Sequence, residues 1–204
     1  MNPLISVVGA SGVGKTAFVN ALAATGQFTT ALEQHAERPF QLLFKRDKKF
    51  ALANQIDYLL LRAEQEKHLR AANKPGLVDG GLDLDLHGFT RLFHRRGLIS
   101  GAEYDLCVRL HSFFRQTLPP PDLIVALSAS QKIIEARLAS RSRINIASAQ
   151  DAELLNQFIH EWLDSVPPAK ILRIDASNES KHYPKATQRL LAWVAALRSH
   201  PADR

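Results

Sequence analysis

Cysteine is nearly missing from this chain: among 204 residues Cys107 stands alone. That excludes an intrachain disulfide and a thiolate metal cluster, and within a helical pattern Cys107 reads as a small buried hydrophobe. Long hydrophobic runs are lacking as well. Runs such as Leu123 to Leu127 fall far short of the roughly 20 residues a bilayer helix needs. The first residues also lack the basic stretch, apolar core and small-residue cleavage pattern of a secretory signal, so a cytoplasmic protein without a membrane partner is expected. There is no internal repeat, no low-complexity segment and no shortage of hydrophobic residues; at 46% hydrophobic and 23% charged the composition is that of a globular chain, not a disordered one. The length suits one domain spanning 1–204. Charge is uneven, with a formal net value of +6. The basic residues are nevertheless scattered, without interleaved aromatics or a nucleic-acid motif, so a small anionic ligand is expected in place of nucleic acid.

What is present is concentrated near the start. Residues 9–16 read GASGVGKT, a Gly, four free positions and Gly-Lys-Thr, after the apolar run Leu4, Ile5, Ser6, Val7, Val8 and before a helical pattern at 17–24. This strand, loop and helix context is the one a phosphate-binding loop requires. Gly9, Gly12 and Gly14 allow a tight turn, and the amides of Gly9, Ala10, Ser11, Gly12, Val13 and Gly14 are candidates to cradle a nucleoside triphosphate such as ATP. Lys15 is the candidate to reach the β and γ phosphates, and the Thr16 hydroxyl the candidate Mg²⁺ ligand.

Further along, helices and short strands alternate. A weak strand is predicted over 28–34, and Pro39 biases Arg38 and Glu37 toward extended backbone. A long helix is predicted over 47–72 with Asp47 as N-cap; Gln55 and Tyr58 interrupt its apolar surface, and taken alone Gln55 reads as a residue of the helix flank. The run Leu77, Val78, Asp79 is a strand that ends in Gly80-Gly81. In parallel α/β sheets ligands bind beyond the carboxyl ends of strands, so Asp79 is a candidate Mg²⁺ or water ligand or a general base, with a turn former as the plain alternative. Helices follow at 83–95 and 100–116, the second with Ser100 as N-cap and Glu103 completing a capping box. Both are rich in large apolar residues and could offer a surface to a second copy. The clearest buried strand is 123–127. After the next helix come Arg137, Arg141 and Arg143, clustered as a closing segment that grips phosphates would be. A helix at 149–163, a strand at 170–175 and a helix at 180–199 complete an α/β pattern, a parallel sheet covered on both faces.

In order and spacing these segments resemble the deoxyribonucleoside kinase family, of the small bacterial deoxyadenosine and deoxyguanosine kinase type. Glu37, Pro39, Phe40 and Phe44 resemble its Glu-Asn-Pro-Phe segment, ANQIDYLLLR with Gln55 and Arg62 its base-reading helix, HRRGLISGAEYDLCVRL its Gly-Leu-Ser stretch, PPDLIVALSAS its Pro-Asp-Leu strand, and Arg137, Arg141 and Arg143 its arginine lid. The resemblance implies a P-loop NTPase fold with a five-stranded parallel sheet and a homodimer joined through helices. It also implies that Gln55, with Phe40 and Arg62, meets a nucleoside, that Glu37 and Glu103 approach the sugar hydroxyls, and that the lid arginines hold ATP phosphates.

One departure bears on mechanism. The family carries an acidic residue followed by Arg and usually Ser at the end of its third strand, where this chain has Asp79-Gly80-Gly81. The expected activity is transfer of the ATP γ-phosphate to the 5′-hydroxyl of a purine (deoxy)nucleoside, with Asp79 accepting the hydroxyl proton, Lys15 stabilising the developing charge, Glu37 as a further catalytic candidate and Mg²⁺ as cofactor. A P-loop kinase for a nucleoside monophosphate or another small alcohol, and a nucleotide-binding regulatory protein without turnover, stay open beside it.

Overall fold

In the computed structural model, which describes residues 2–31, 38–139, 149–180 and 182–199, the apolar run at the N-terminus becomes the middle of a sheet because all five of its positions are buried. This is β1 (Leu4–Val8). It is flanked by β3 (Gly76–Asp79) and β4 (Leu123–Ser128), with β2 (Thr29–Ala31) beyond β3 and β5 (Ile171–Asp175) beyond β4. Every pairing is parallel, with Ile5 opposite both Leu77 and Leu123. Parallel strands need helical crossovers, which cover both faces of the sheet.

Alternation along β1 and β4 sorts the core. Ile5, Val7, Leu123, Val125 and Leu127 face α1 (Lys15–Ala23) and α9 (Pro184–Ser199), packing with Phe18, Leu22, Leu190 and Val194. Val8, Ile124 and Ala126 face the other way, onto Leu155, Ile159 and Trp162 of α8 (Ala149–Asp164). A fully buried ring such as Phe18 contributes roughly 1.5–3 kcal/mol by leaving water.

The helices at the β3 side form a layer of their own. A 3₁₀ turn at Lys48–Phe50, capped by Asp47, leads into α3 (Ala51–Ala71), so the predicted helix over 47–72 is found with its cap. Arg38 is extended, as the following proline requires, and caps α2 (Pro39–Arg46). Ser100 caps α6 (Gly101–Arg115), and its hydroxyl and N–H pair with the Glu103 carboxylate in the capping box read from the sequence. Cys107 on α6 is fully buried beside Leu59, Leu82 and Leu86, and burial pushes its thiol up to about 11.

The segment 83–95 is not one regular helix. It is α4 (Leu82–Leu84), a π-helical stretch Asp85–Thr90, and α5 (Arg91–Arg95). The Thr90 hydroxyl reaches the Asp85 carbonyl five residues back at 2.9 Å, a contact that suits the widened turn. Leu84, Leu86, Leu92 and Phe93 are all buried within the chain, so this segment does not supply the apolar face that the sequence suggested for a second copy. α6 does expose such residues, Leu106 and Phe113, as does α3 with Leu60.

Beneath these helices lies a buried ionic network. Glu66, wholly buried, accepts from both terminal nitrogens of Arg115 at 2.7 and 3.1 Å, while Arg115 Nε and His111 Nε2 meet Asp83 Oδ1 at 2.9 and 2.8 Å. Their charges are paired, which burial demands. Among the described residues no helix is long and apolar enough to cross a membrane.

Candidate active site

The loop between β1 and α1 depends on two glycines. Gly9 holds φ +144°, and a Cβ there would lie 2.4 Å from the Leu127 carbonyl oxygen of β4. Gly14 holds φ +110°, and its Cβ would lie 2.1 Å from the Tyr183 hydroxyl. Among the described residues no side chain caps the start of α1, which leaves the first-turn N–H groups and the positive end of the helix dipole for an anion. Lys15 Nζ donates to the Gly9 and Ala10 carbonyls at 3.0 and 3.1 Å, folded over the loop. From α7 (Gln131–Ala139) Arg137 donates to the Val13 carbonyl at 2.5 Å and to the Ala176 carbonyl at 3.1 Å. One predicted lid arginine thus stands at the phosphate loop; Arg141 and Arg143 lie outside the described residues, as does Glu37.

Tyr183 was not foreseen. It is buried at φ +46°, with its ring 5.2 Å from that of Phe18 and its hydroxyl 3.4 Å from the Gly14 carbonyl, so it packs the P-loop from above. The one sequence signal is Pro184, which stops α9 from starting earlier.

Asp79 ends β3, 1% exposed, and its Oδ2 accepts from the Thr16 hydroxyl at 2.7 Å. A hydroxyl and a carboxylate side by side at the mouth of the loop are hard oxygen ligands of the kind Mg²⁺ takes. The donor set therefore fits the ion. Next to it Gly80 holds φ +87° and Gly81 φ +111°, backbone that L side chains rarely adopt. An arginine is not simply deleted at position 80, since the backbone there does not suit one. A Cβ on Gly80 would lie 3.4 Å from Arg62 Nη2, so α3 brings a guanidinium to the same place.

Arg62 is also a wall of a cavity. Asn54, Gln55, Tyr58 and Arg62 of α3, Asp85 and Phe89 of the π turn and Phe93 of α5 line a small cavity that opens to solvent at its mouth. Arg62 Nε is held by Asp85 Oδ2 at 2.8 Å and its Nη1 by Gln65 Oε1 at 3.0 Å. Gln55 is 3% exposed, not on the helix flank, and its Oε1 lies 3.0 Å from the Thr90 hydroxyl. Aromatic walls with a few fixed polar groups are what a flat heterocycle needs.

The sequence profile of the deoxynucleoside kinases matches residues 5–197. The chain belongs to the deoxynucleoside kinase family. It is therefore a kinase, a nucleotide-binding transferase. Among curated relatives, a deoxyadenosine/deoxycytidine kinase of Bacillus subtilis (strain 168) is 27% identical over 145 residues, 70% of this chain and 67% of that one. Among solved structures, deoxyadenosine kinase from M. mycoides with bound dATP superposes at a TM-score of 0.76 with 20% identity, covering 93% of this chain and 99% of that chain. The same enzyme with bound dCTP gives 0.77 with 19% identity and the same coverage. These likenesses establish the P-loop NTPase fold with its five-stranded parallel sheet.

Against this kinase frame, the remaining expected residues divide. Gln55 and Arg62 meet in the cavity, while Phe40, on the first turn of α2, is exposed and absent from its described lining. Glu103 is engaged with Ser100, whose N–H and hydroxyl hold its carboxyl below the usual carboxylate range. Asn54, Asp85, Phe89 and Phe93 line the same cavity without having been singled out in the sequence, because the π turn that sets its far wall leaves no periodicity to read. A separate group, Asp83, His87 and His111, gathers ligating atoms within 4.8 Å of one another. Its carboxylate already serves Arg115 and His111, which fits the buried network described above.

Proposed function

We propose that this kinase transfers the γ-phosphate of ATP to the 5′-hydroxyl of a purine deoxynucleoside, deoxyadenosine first, with Mg²⁺ held by Thr16 and Asp79. The observation that carries the reading is the double position of Arg62. It lines the cavity and also lies beside Gly80, next to Asp79, so the acceptor cavity and the phosphate loop share a wall. Such adjacency is what phosphoryl transfer demands, since its catalysis is mostly positioning and charge stabilisation.

In this reading the loop amides and Lys15 hold the phosphates, joined by Arg137 and the lid residues Arg141 and Arg143. When bound, Mg²⁺ neutralises charge on the phosphate oxygens. The hydrogen bond from Thr16 to Asp79 supports Asp79 as the metal-side carboxylate. Glu37, by the resemblance of segment 37–40, is then the group proposed to take the 5′-hydroxyl proton. The relatives named for deoxyadenosine support the choice of base.

The test is a panel of deoxynucleosides, ribonucleosides and their monophosphates with Mg·ATP, following ADP release and product. Transfer to a deoxynucleoside is expected, with Asp79→Asn lowering it roughly 100-fold or more while ATP still binds. Transfer to monophosphates alone, or to no member of the panel, overturns the reading.

A further inference from the structure

The cavity holds two adjacent amides, and they are not equivalent. Gln55 is 3% exposed and tied to the Thr90 hydroxyl. Asn54 is also 3% exposed, yet its buried Oδ1 has no hydrogen-bond partner among the described residues. Buried polar atoms in native proteins are nearly always paired, and leaving one unpaired carries a real cost. A mid-helix Asn is not a favoured helix former either. Asn54 therefore weakens α3 twice over unless something else meets its oxygen, and the cavity it lines is where that something can be.

We propose that Asn54 is a second base-reading residue, whose Oδ1 accepts an N–H of the exocyclic amino group of the bound base. The inference rests on the nucleoside reading of this cavity and goes beyond it by naming the recognised edge. With the Gln55 oxygen facing the Thr90 hydroxyl, the Gln55 Nε2 is the end left to donate to a ring nitrogen. A donor from Gln55 beside an acceptor from Asn54 matches an edge with an unprotonated ring nitrogen next to an amino group. Adenine carries that edge, and so does cytosine. Guanine and hypoxanthine present a carbonyl and a protonated ring nitrogen there instead, which would set oxygen against oxygen at Asn54 and donor against donor at Gln55. Sites built to hydrogen-bond a substrate group reject the analogue lacking it far more strongly than apolar pockets do.

The experiment compares kcat/KM for deoxyadenosine with that for purine 2′-deoxyriboside, which lacks only the amino group, in the unmodified enzyme, Asn54→Leu and Asn54→Asp. Deoxyinosine is run alongside. A ratio within each protein cancels differences in the amount of folded enzyme. The unmodified enzyme should prefer deoxyadenosine about tenfold or more, the worth of one paired amino N–H. Asn54→Leu should bring the ratio near one, and Asn54→Asp, which keeps an acceptor, should retain the preference. An unchanged ratio in Asn54→Leu overturns the proposal. So does a preference for deoxyinosine that Asn54→Leu abolishes, since that amide would be donating. If the unmodified enzyme phosphorylates no nucleoside while binding Mg·ATP, the nucleoside reading itself fails and the inference with it, an outcome seen before any variant is compared.

Discussion

Lys15 donates to two loop carbonyls, and in the proposed reading its ammonium exchanges those acceptors for phosphate oxygens when a triphosphate enters. Charge-assisted hydrogen bonds contribute about 1.5–3 kcal/mol. Lys15→Ala should therefore weaken Mg·ATP binding by roughly tenfold to a hundredfold without unfolding a chain in which this side chain is only half-buried. Calorimetry on both proteins checks this, and equal affinity would contradict the loop assignment. Glu103 poses the opposite case. The resemblance places it near the sugar, and the structure engages its carboxylate with Ser100. A capping role predicts that Ser100→Ala costs about 1 kcal/mol of stability and that Glu103→Ala leaves the nucleoside KM where it was. A several-fold rise in that KM would return Glu103 to the sugar.

The π-helical stretch is the element on which the cavity depends, because it sets Asp85 against Arg62 and Thr90 against Gln55. His87 lies within it, half-buried, stacked on Trp162 at 5.5 Å and meeting His111 edge-on at 5.8 Å. Burial pushes its pKa below the ordinary 6.5, opposed by the Asp83 carboxylate and assisted by His111, Arg91 and Arg115. A depressed native value means that the unfolded chain takes up the proton first. The contribution of neutral His87 is therefore complete above about 6.5 and lost as pH falls through its native value. Urea midpoints measured from pH 7.5 to 5 should decline less for His87→Phe, which keeps the stacking but not the proton. Parallel curves for the two proteins would contradict this.

For the whole molecule, the exposed apolar residues Leu60, Leu106 and Phe113, the last 61% exposed, lie on α3 and α6, and we propose that these two helices join a homodimer. Light scattering at micromolar concentration should give twice the chain mass, and Phe113→Asp should shift it toward one chain; a single-chain mass for the unmodified protein would contradict the proposal. Much of this molecule was legible in the chain itself. The glycine pattern of residues 9–16, the continuous apolar runs of β1 and β4 and the capping box at Ser100 are local signals, because turn sterics, strand burial and cap hydrogen bonds act over a few residues. Gln55 and Arg62, singled out by their resemblance to a base-reading helix, do line one cavity. The remainder was decided by packing across distant segments. Asp79 meets the hydroxyl of a threonine 63 residues away, Gly80 lies beside the guanidinium of Arg62, and Tyr183 closes over Gly14 from 169 residues further on. Gln55 left the flank for the interior, and Asn54 became an unpaired acceptor in a cavity, only because the π turn of another helix supplied the facing wall. Hydrophobic periodicity records which residues leave water, whereas the partners of a buried polar atom are fixed by the tertiary structure that encloses it.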